Sequence, residues 1–176
     1  MKTIKTFLFL LFICMMLIVE STCSAQRISV CDLTSDAFCE TYNNIAKVLP
    51  DKSSILIDKA SLQKKIINNI GTLYFYSLKN TVNGNGTHII LLINQTNNIF
   101  EINITNNMNA TKDDTIYAYI TVLKTLGVRD DDIEFFSHLS EPKYKPISSK
   151  RTLVTAFRPA GPNMHVDEFK IAAFDN

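Results

Sequence analysis

Apolar and polar residues alternate most clearly between residues 87 and 105. Ile89, Leu91 and Ile93 share one parity, and Phe100, Ile102 and Ile104 share one parity in a second run. Period-2 alternation of β-branched and aromatic residues reads as strand, and two such runs split by turn residues read as a hairpin. Asn97-Asn98 tolerates the positive φ angles that tight turns need. With those two residues as the loop, Ile93 opposes Ile102 and Leu91 opposes Ile104. A four-residue loop over 95–98 keeps the same faces, because the slip is even. The predicted core of the hairpin is Leu91, Ile93, Phe100, Ile102 and Ile104. The opposite face carries Asn94, Glu101 and Asn103, with His88, Ile90 and Leu92 making it less than uniformly polar.

The other elements follow from the same patterns. Residues 27–30 form a short strand candidate. Ser35 is placed to cap a helix reaching about Leu49, with Phe38, Tyr42, Ile45 and Leu49 on one face and Pro50 as its stop. Residues 54–57 read as a short strand. Asp58 is placed to cap a second helix over 59–70, with Leu62, Ile66 and Ile70 on one side and Gly71 closing it. Residues 73–78 are strongly β-prone. Thr111 and Asp114 make a capping-box pattern for a third helix, with Ile116, Ile120 and Leu123 on its stripe and Gly127 at its end. Asp130, Asp131 and Asp132 suit the positive end of a further helix. Residues 141–149 contain two prolines and read as a crossing loop. Residues 151–157 and 165–174 read as two last strands joined by the turn-rich link 159–163. Short loops between successive strands favour antiparallel pairing. The predicted fold is α+β: an antiparallel sheet of about five strands with three or four helices packed mainly on one face.

The N-terminus changes the setting. Lys2 and Lys5 precede an unbroken apolar run of thirteen residues, 7–19, and the small residues Ser24 and Ala25 follow. That order reads as a signal peptide over 1–25, leaving a single secreted domain over 26–176. The run is short for a membrane span, which takes roughly 20 apolar residues. Removing Lys2, Lys5 and Glu20 from 18 basic and 17 acidic residues leaves sixteen of each. A balanced domain lacks the basic bias of a nucleic-acid binder.

Secretion gives two further patterns a meaning. Cys14 and Cys23 leave with the signal, so Cys31 and Cys39 remain as an even pair in an oxidising route, and a disulfide between them is expected. A loop this short contributes roughly 2–3 kcal/mol in the loop-entropy account. Asn85, Asn94, Asn103 and Asn109 each head an Asn-x-Thr sequon, the acceptor pattern for N-glycosylation in a secreted chain. Ten of the thirty residues 80–109 are Asn, so composition alone raises the count of such patterns.

Catalytic signatures are scarce. The chain contains no HExxH, GxSxG, CxxC or Gly-rich phosphate loop, and no cofactor or metal pattern. The three aspartates at 130–132 lack the Gly-bearing calcium-loop pattern. His165 and Asp167 would share a strand face, which suits a base oriented by a carboxylate, but an exposed strand start explains them more simply. Tyr74, Tyr76, Tyr117 and Tyr119 suit the edge of a core with the hydroxyl in water. These features point to a secreted, N-glycosylated binding protein acting on an extracellular protein or ligand. A small secreted hydrolase or protease inhibitor is the alternative. With glycans on Asn94 and Asn103, binding would fall to the opposite end of the molecule, or to the loops 141–149 and 159–163.

Overall fold

A computed structural model describes residues 27–49, 53–67, 70–107, 111–138, 140–160 and 166–175. The predicted signal peptide, Asn109 and His165 lie outside these residues. Eight strands form one antiparallel sheet: β1 (Arg27–Ile28), β2 (Gln63–Ile67), β3 (Gly71–Ser77), β4 (Thr87–Ile93), β5 (Ile99–Asn107), β6 (Lys143–Ser148), β7 (Arg151–Arg158) and β8 (Val166–Phe174). Seven of them run in the order β2-β3-β4-β5-β8-β7-β6. The two-residue β1 pairs with β8 beyond the end of β5. Three α-helices are described: α1 (Ser35–Lys47), α2 (Lys112–Thr125) and α3 (Asp130–Ser137).

The expected α+β fold of about five strands with three or four helices is thereby overturned in favour of a sheet-dominated fold with a seven-strand path. Two segments account for the difference. Asp58 does cap a helical turn, accepting from the Ala60 amide, but the turn stops at Ser61 and β2 follows. The i, i+4 spacing of Ile66 and Ile70 imitates a helix face, yet both side chains are exposed. Residues 143–148, expected as loop, form β6 despite Pro146. Proline is tolerated there because β6 is an end strand, and its missing N–H can face solvent.

The inner face of the sheet holds the core. Ile89, Leu91, Ile102, Ile104, Phe169 and Ile171 are all at most 2% exposed and stand in register across β4, β5 and β8. Burying an Ile or Leu side chain fully is worth roughly 1.5–3 kcal/mol. This row is therefore the main stabilising feature of the sheet. The β4–β5 register is that of the longer hairpin loop, with Leu91 opposite Ile102 and Ile89 opposite Ile104. The pairing shifts between Leu92 and Ile93. Phe100 is the extra residue of this bulge and is only half-buried, while Ile99 takes the inward place.

The helices close this face. α1 begins at Thr34, one residue before the expected cap, where Thr34 Oγ1 accepts from the Ala37 amide. Phe38, Cys39, Tyr42 and Ala46 form its buried stripe. Tyr42 Oη donates to Ile55 O at 3.0 Å, and the Asn43 amide both donates to and accepts from the Ile57 backbone. α2 begins at Thr111, whose hydroxyl accepts from the Asp114 amide. Asp114 does not complete a capping box; its carboxylate accepts from Ser54 Oγ and Asn80 Nδ2 instead. α2 ends on Gly127 at φ 80°, with Val128 N donating to Leu123 O and Gly127 N to Lys124 O. Tyr119 of α2 stacks on Phe169 of β8 with centroids 4.6 Å apart, and its hydroxyl donates to Phe136 O of α3.

Gly71 opens β3 at φ 148°, where an added Cβ would stand 2.0 Å from Ile93 O. Neither side can yield, since both are backbone. Gly71→Ala is expected to lower the unfolding free energy by on the order of 2–4 kcal/mol in urea titration, with the m-value unchanged.

Candidate functional site

The outer face of the sheet carries a different set of side chains. Cross-strand pairing aligns Ser77, His88, Thr105, Glu168 and Arg158 in one row. Phe75, Ile90, Asn103, Lys170 and Ala156 form the next, and Leu73, Leu92, Glu101, Ala172 and Val154 the third. Leu73, Phe75, Ile90 and Leu92 are each half-buried. They belong neither to the core cluster nor to the side chains packed against it. Helices thus cover the inner face, and this apolar corner at β3–β4 is shaped by its own neighbours.

A polar network occupies the centre of the same face. Glu101 is 5% exposed and pairs with Lys170 Nζ at 2.9 Å. Asn103 Nδ2 donates to Glu101 Oε1 at 3.1 Å, and Asn103 Oδ1 is buried without a hydrogen-bond partner. Arg158 faces Glu168 at 3.6 Å. Glu101 is buried, but Lys170 and Arg158 keep much of their side chains in solvent, which screens both pairs.

His88 is the one buried histidine among the described residues. Its Nδ1 meets Ser77 Oγ and its Nε2 meets Gly84 O, both at 3.3 Å, while its ring lies 4.7 Å from that of Phe75. The ring thereby ties the turn at Asn83 and Gly84, both with positive φ, to the sheet. Burial pushes its pKa below the ordinary value. The tether is a structural arrangement, and no carboxylate is among its described partners.

The two ends of the sheet differ. On β6, Lys143 pairs with Glu141, Lys145 pairs with Asp132 of α3, and Pro146 lacks an N–H. The hydrogen bond from Lys145 holds the Asp132 carboxyl below the usual range. β2, by contrast, is exposed over its first four residues. Lys64 lies over the Tyr74 ring at 4.4 Å, and Lys65 has no ion-pair partner among the described residues. A cavity of about 210 Å³ opens beside this edge, lined by Gln63, Lys64, Lys65, Leu73, Phe75 and Ile90. Drug-sized ligands occupy roughly 300–1,000 Å³, so this space suits one ring or one branched side chain.

The residues singled out in the sequence are spread over the molecule. Asn85 is exposed beside a turn. Asn94 Oδ1 accepts from Thr96 N, Thr96 Oγ1 and Asn98 N in the exposed β4–β5 loop. Asn103 sits mid-strand in the polar network rather than on open surface. Cys31 and Cys39 are both buried and stand as separate thiols. Burial raises the pKa of each, that of Cys39 to about 11 despite a hydrogen bond with Tyr76. Tyr76 and Tyr119 lie inside the core rather than at its edge, and burial raises the pKa of Tyr119 to about 12. Asp130, Asp131 and Asp132 open α3, and no group of ligating side chains forms a metal cluster among the described residues. Asp167 accepts from the Ala160 amide, and His138 is exposed at the end of α3. The edge of β2 went unread because its segment resembled a helix. Asn68, Asn69 and Gly71 between two β-prone runs were the hairpin signal available there.

The lowered pKa of His88 has a definite sign. The unfolded chain takes up the proton first, near the ordinary value of 6.5, so stability is complete above that pH and falls as the pH drops toward the folded value. Melting temperature measured between pH 7 and pH 5 is expected to fall in the native chain. His88→Gln is expected to have a flatter profile over the same interval. An unchanged slope would remove the buried ring from the account.

No protein-family model, no curated protein and no solved structure matches the chain.

Proposed function

We propose that the chain is a secreted, N-glycosylated binding protein directed at an extracellular protein or ligand. The observation that carries this reading is the geometry of the Asn94 sequon. Its side-chain oxygen gathers three hydrogen bonds from Thr96 and Asn98 in an exposed loop. None of these uses the amide nitrogen, the atom to which a glycan is joined. Asn85 stands exposed just before β4, and Asn94 directly follows it. Glycans on both would flank the outer face without covering its middle. The basic and apolar N-terminal pattern supplies the secretory premise.

Asn103 is the least suited of the described acceptors, because its amide nitrogen already donates to Glu101 inside the sheet. Material secreted from eukaryotic cells is expected to shift in mobility on endoglycosidase treatment. Asn85→Gln and Asn94→Gln should each remove part of that shift, and Asn103→Gln should leave it unchanged. Secreted protein with no shift would end the glycoprotein reading.

In the same proposal the secretory route joins Cys31 to Cys39. The described structure holds both as separate buried thiols, so the bond rests on the oxidising route and the even cysteine count. Alkylation of the denatured, non-reduced secreted chain is expected to add no mass. Two added labels would contradict the bond.

A further inference from the structure

We infer that the free edge of β2 is a docking site for an extended acidic segment of a partner protein, which adds there as a strand. This gives the binding reading a partner class, and it rests on that reading for the premise that the chain works by binding. An end strand presents one row of unpaired backbone N–H and C=O groups, a template for strand addition in which neighbouring pockets select side chains. β2 is such a strand, five residues long and, among the described residues, paired only with β3. Ile66 beside its lysines is 78% exposed and Ile70 is 51% exposed. The cavity spans β2, β3 and β4 on the outer face, along Gln63, Lys65, Leu73, Phe75 and Ile90, and is sized for one apolar residue of an incoming strand. Lys65 shares the cavity's face with Leu73 and gives it a positive rim, while Lys64 turns to the other face over the Tyr74 ring.

The charge pattern decides between occupants. If β2 paired with β2 of a second copy about Lys65, the two Lys65 side chains would stand opposite each other. A pairing centred between Lys64 and Lys65 would set those two lysines across from one another. Like charges directly opposite are destabilising, so these two registers of self-pairing are disfavoured, while the exposed lysines favour a strand carrying carboxylates. Among the described residues, the other end of the sheet offers no equivalent site. Pro146 interrupts its donors, and Lys143 and Lys145 are already paired.

The test uses the full secreted chain and the synthetic peptide acetyl-Asp-Val-Glu-Phe-Glu-Val-Asp-amide. Two controls accompany it: the same peptide with lysine at every acidic position, and the acidic peptide N-methylated at alternate amides. Titration calorimetry and amide exchange at β2 are the readouts. The acidic peptide is expected to bind and to slow exchange in β2. Lys65→Glu is expected to weaken it about tenfold, with the melting temperature unchanged because Lys65 is exposed. The N-methylated and lysine peptides are expected not to bind. Equal binding of the N-methylated peptide would overturn strand addition. Equal binding of the lysine peptide, or no effect of Lys65→Glu, would overturn the acidic partner. A dimer in solution that protects β2 would assign the edge to a second copy instead. Binding by the enzymatically deglycosylated chain keeps this inference even if the glycan reading fails. Failure to bind by a chain that does carry glycans overturns this inference alone.

Discussion

A strand has only two faces, and in this sheet the burial of one of them organises everything else. Ile89, Leu91, Ile102, Ile104, Phe169 and Ile171 point inward from three adjacent strands. That row requires a cover, and α1 and α2 supply it through Phe38, Tyr42, Tyr119 and Val122. The buried hydroxyls come with partners: Tyr42 donates to Ile55 O and Tyr119 to Phe136 O. A buried hydroxyl without a partner would cost about 1–3 kcal/mol. The core therefore fixes the places of both the 3₁₀ turn Ser53–Ile55 and α3.

The outer face follows from what the helices leave. Its centre is held by charge and amide groups, Glu101 with Lys170 and Asn103, and its β3–β4 corner by apolar side chains. The two ends of the sheet meet the exposed-edge problem in different ways. β6 uses a proline and paired lysines, whereas β2 relies on lysine charge alone. Lysine charge disfavours the self-pairing registers that oppose lysines and favours a strand of opposite sign. The proposed partner class grows from that asymmetry.

Legibility in the sequence followed the strength of the local signal. The β4–β5 hairpin was readable, down to the faces of Leu91, Ile93, Ile102 and Ile104, because alternation is strong and one face is buried. Phe100 was misplaced because a bulge resets parity, and no residue type there announces it. α2 was readable from Thr111 and Gly127, which act at its two ends through hydrogen bonds local in sequence. β2 and β6 were not. Ile66 and Ile70 matched a helical spacing that tertiary pairing overrode, and Pro146 argued against a strand until its place at the sheet's end was known. The candidate site fell with β2, since its cavity joins residues from three strands and exists only after they pair.

Residue-resolved amide hydrogen exchange on the free chain tests this arrangement most directly. The slowest amides are expected in β4, β5 and β8, around Leu91, Ile102 and Ile171, at protection approaching global unfolding. β2 should exchange far faster, in an alternating pattern set by pairing with β3 on one side only. Continuous protection across residues 59–67, as a helix would give, would contradict the architecture. So would protection in β2 equal to that in β4, because it would place a second strand on an edge that this account leaves free.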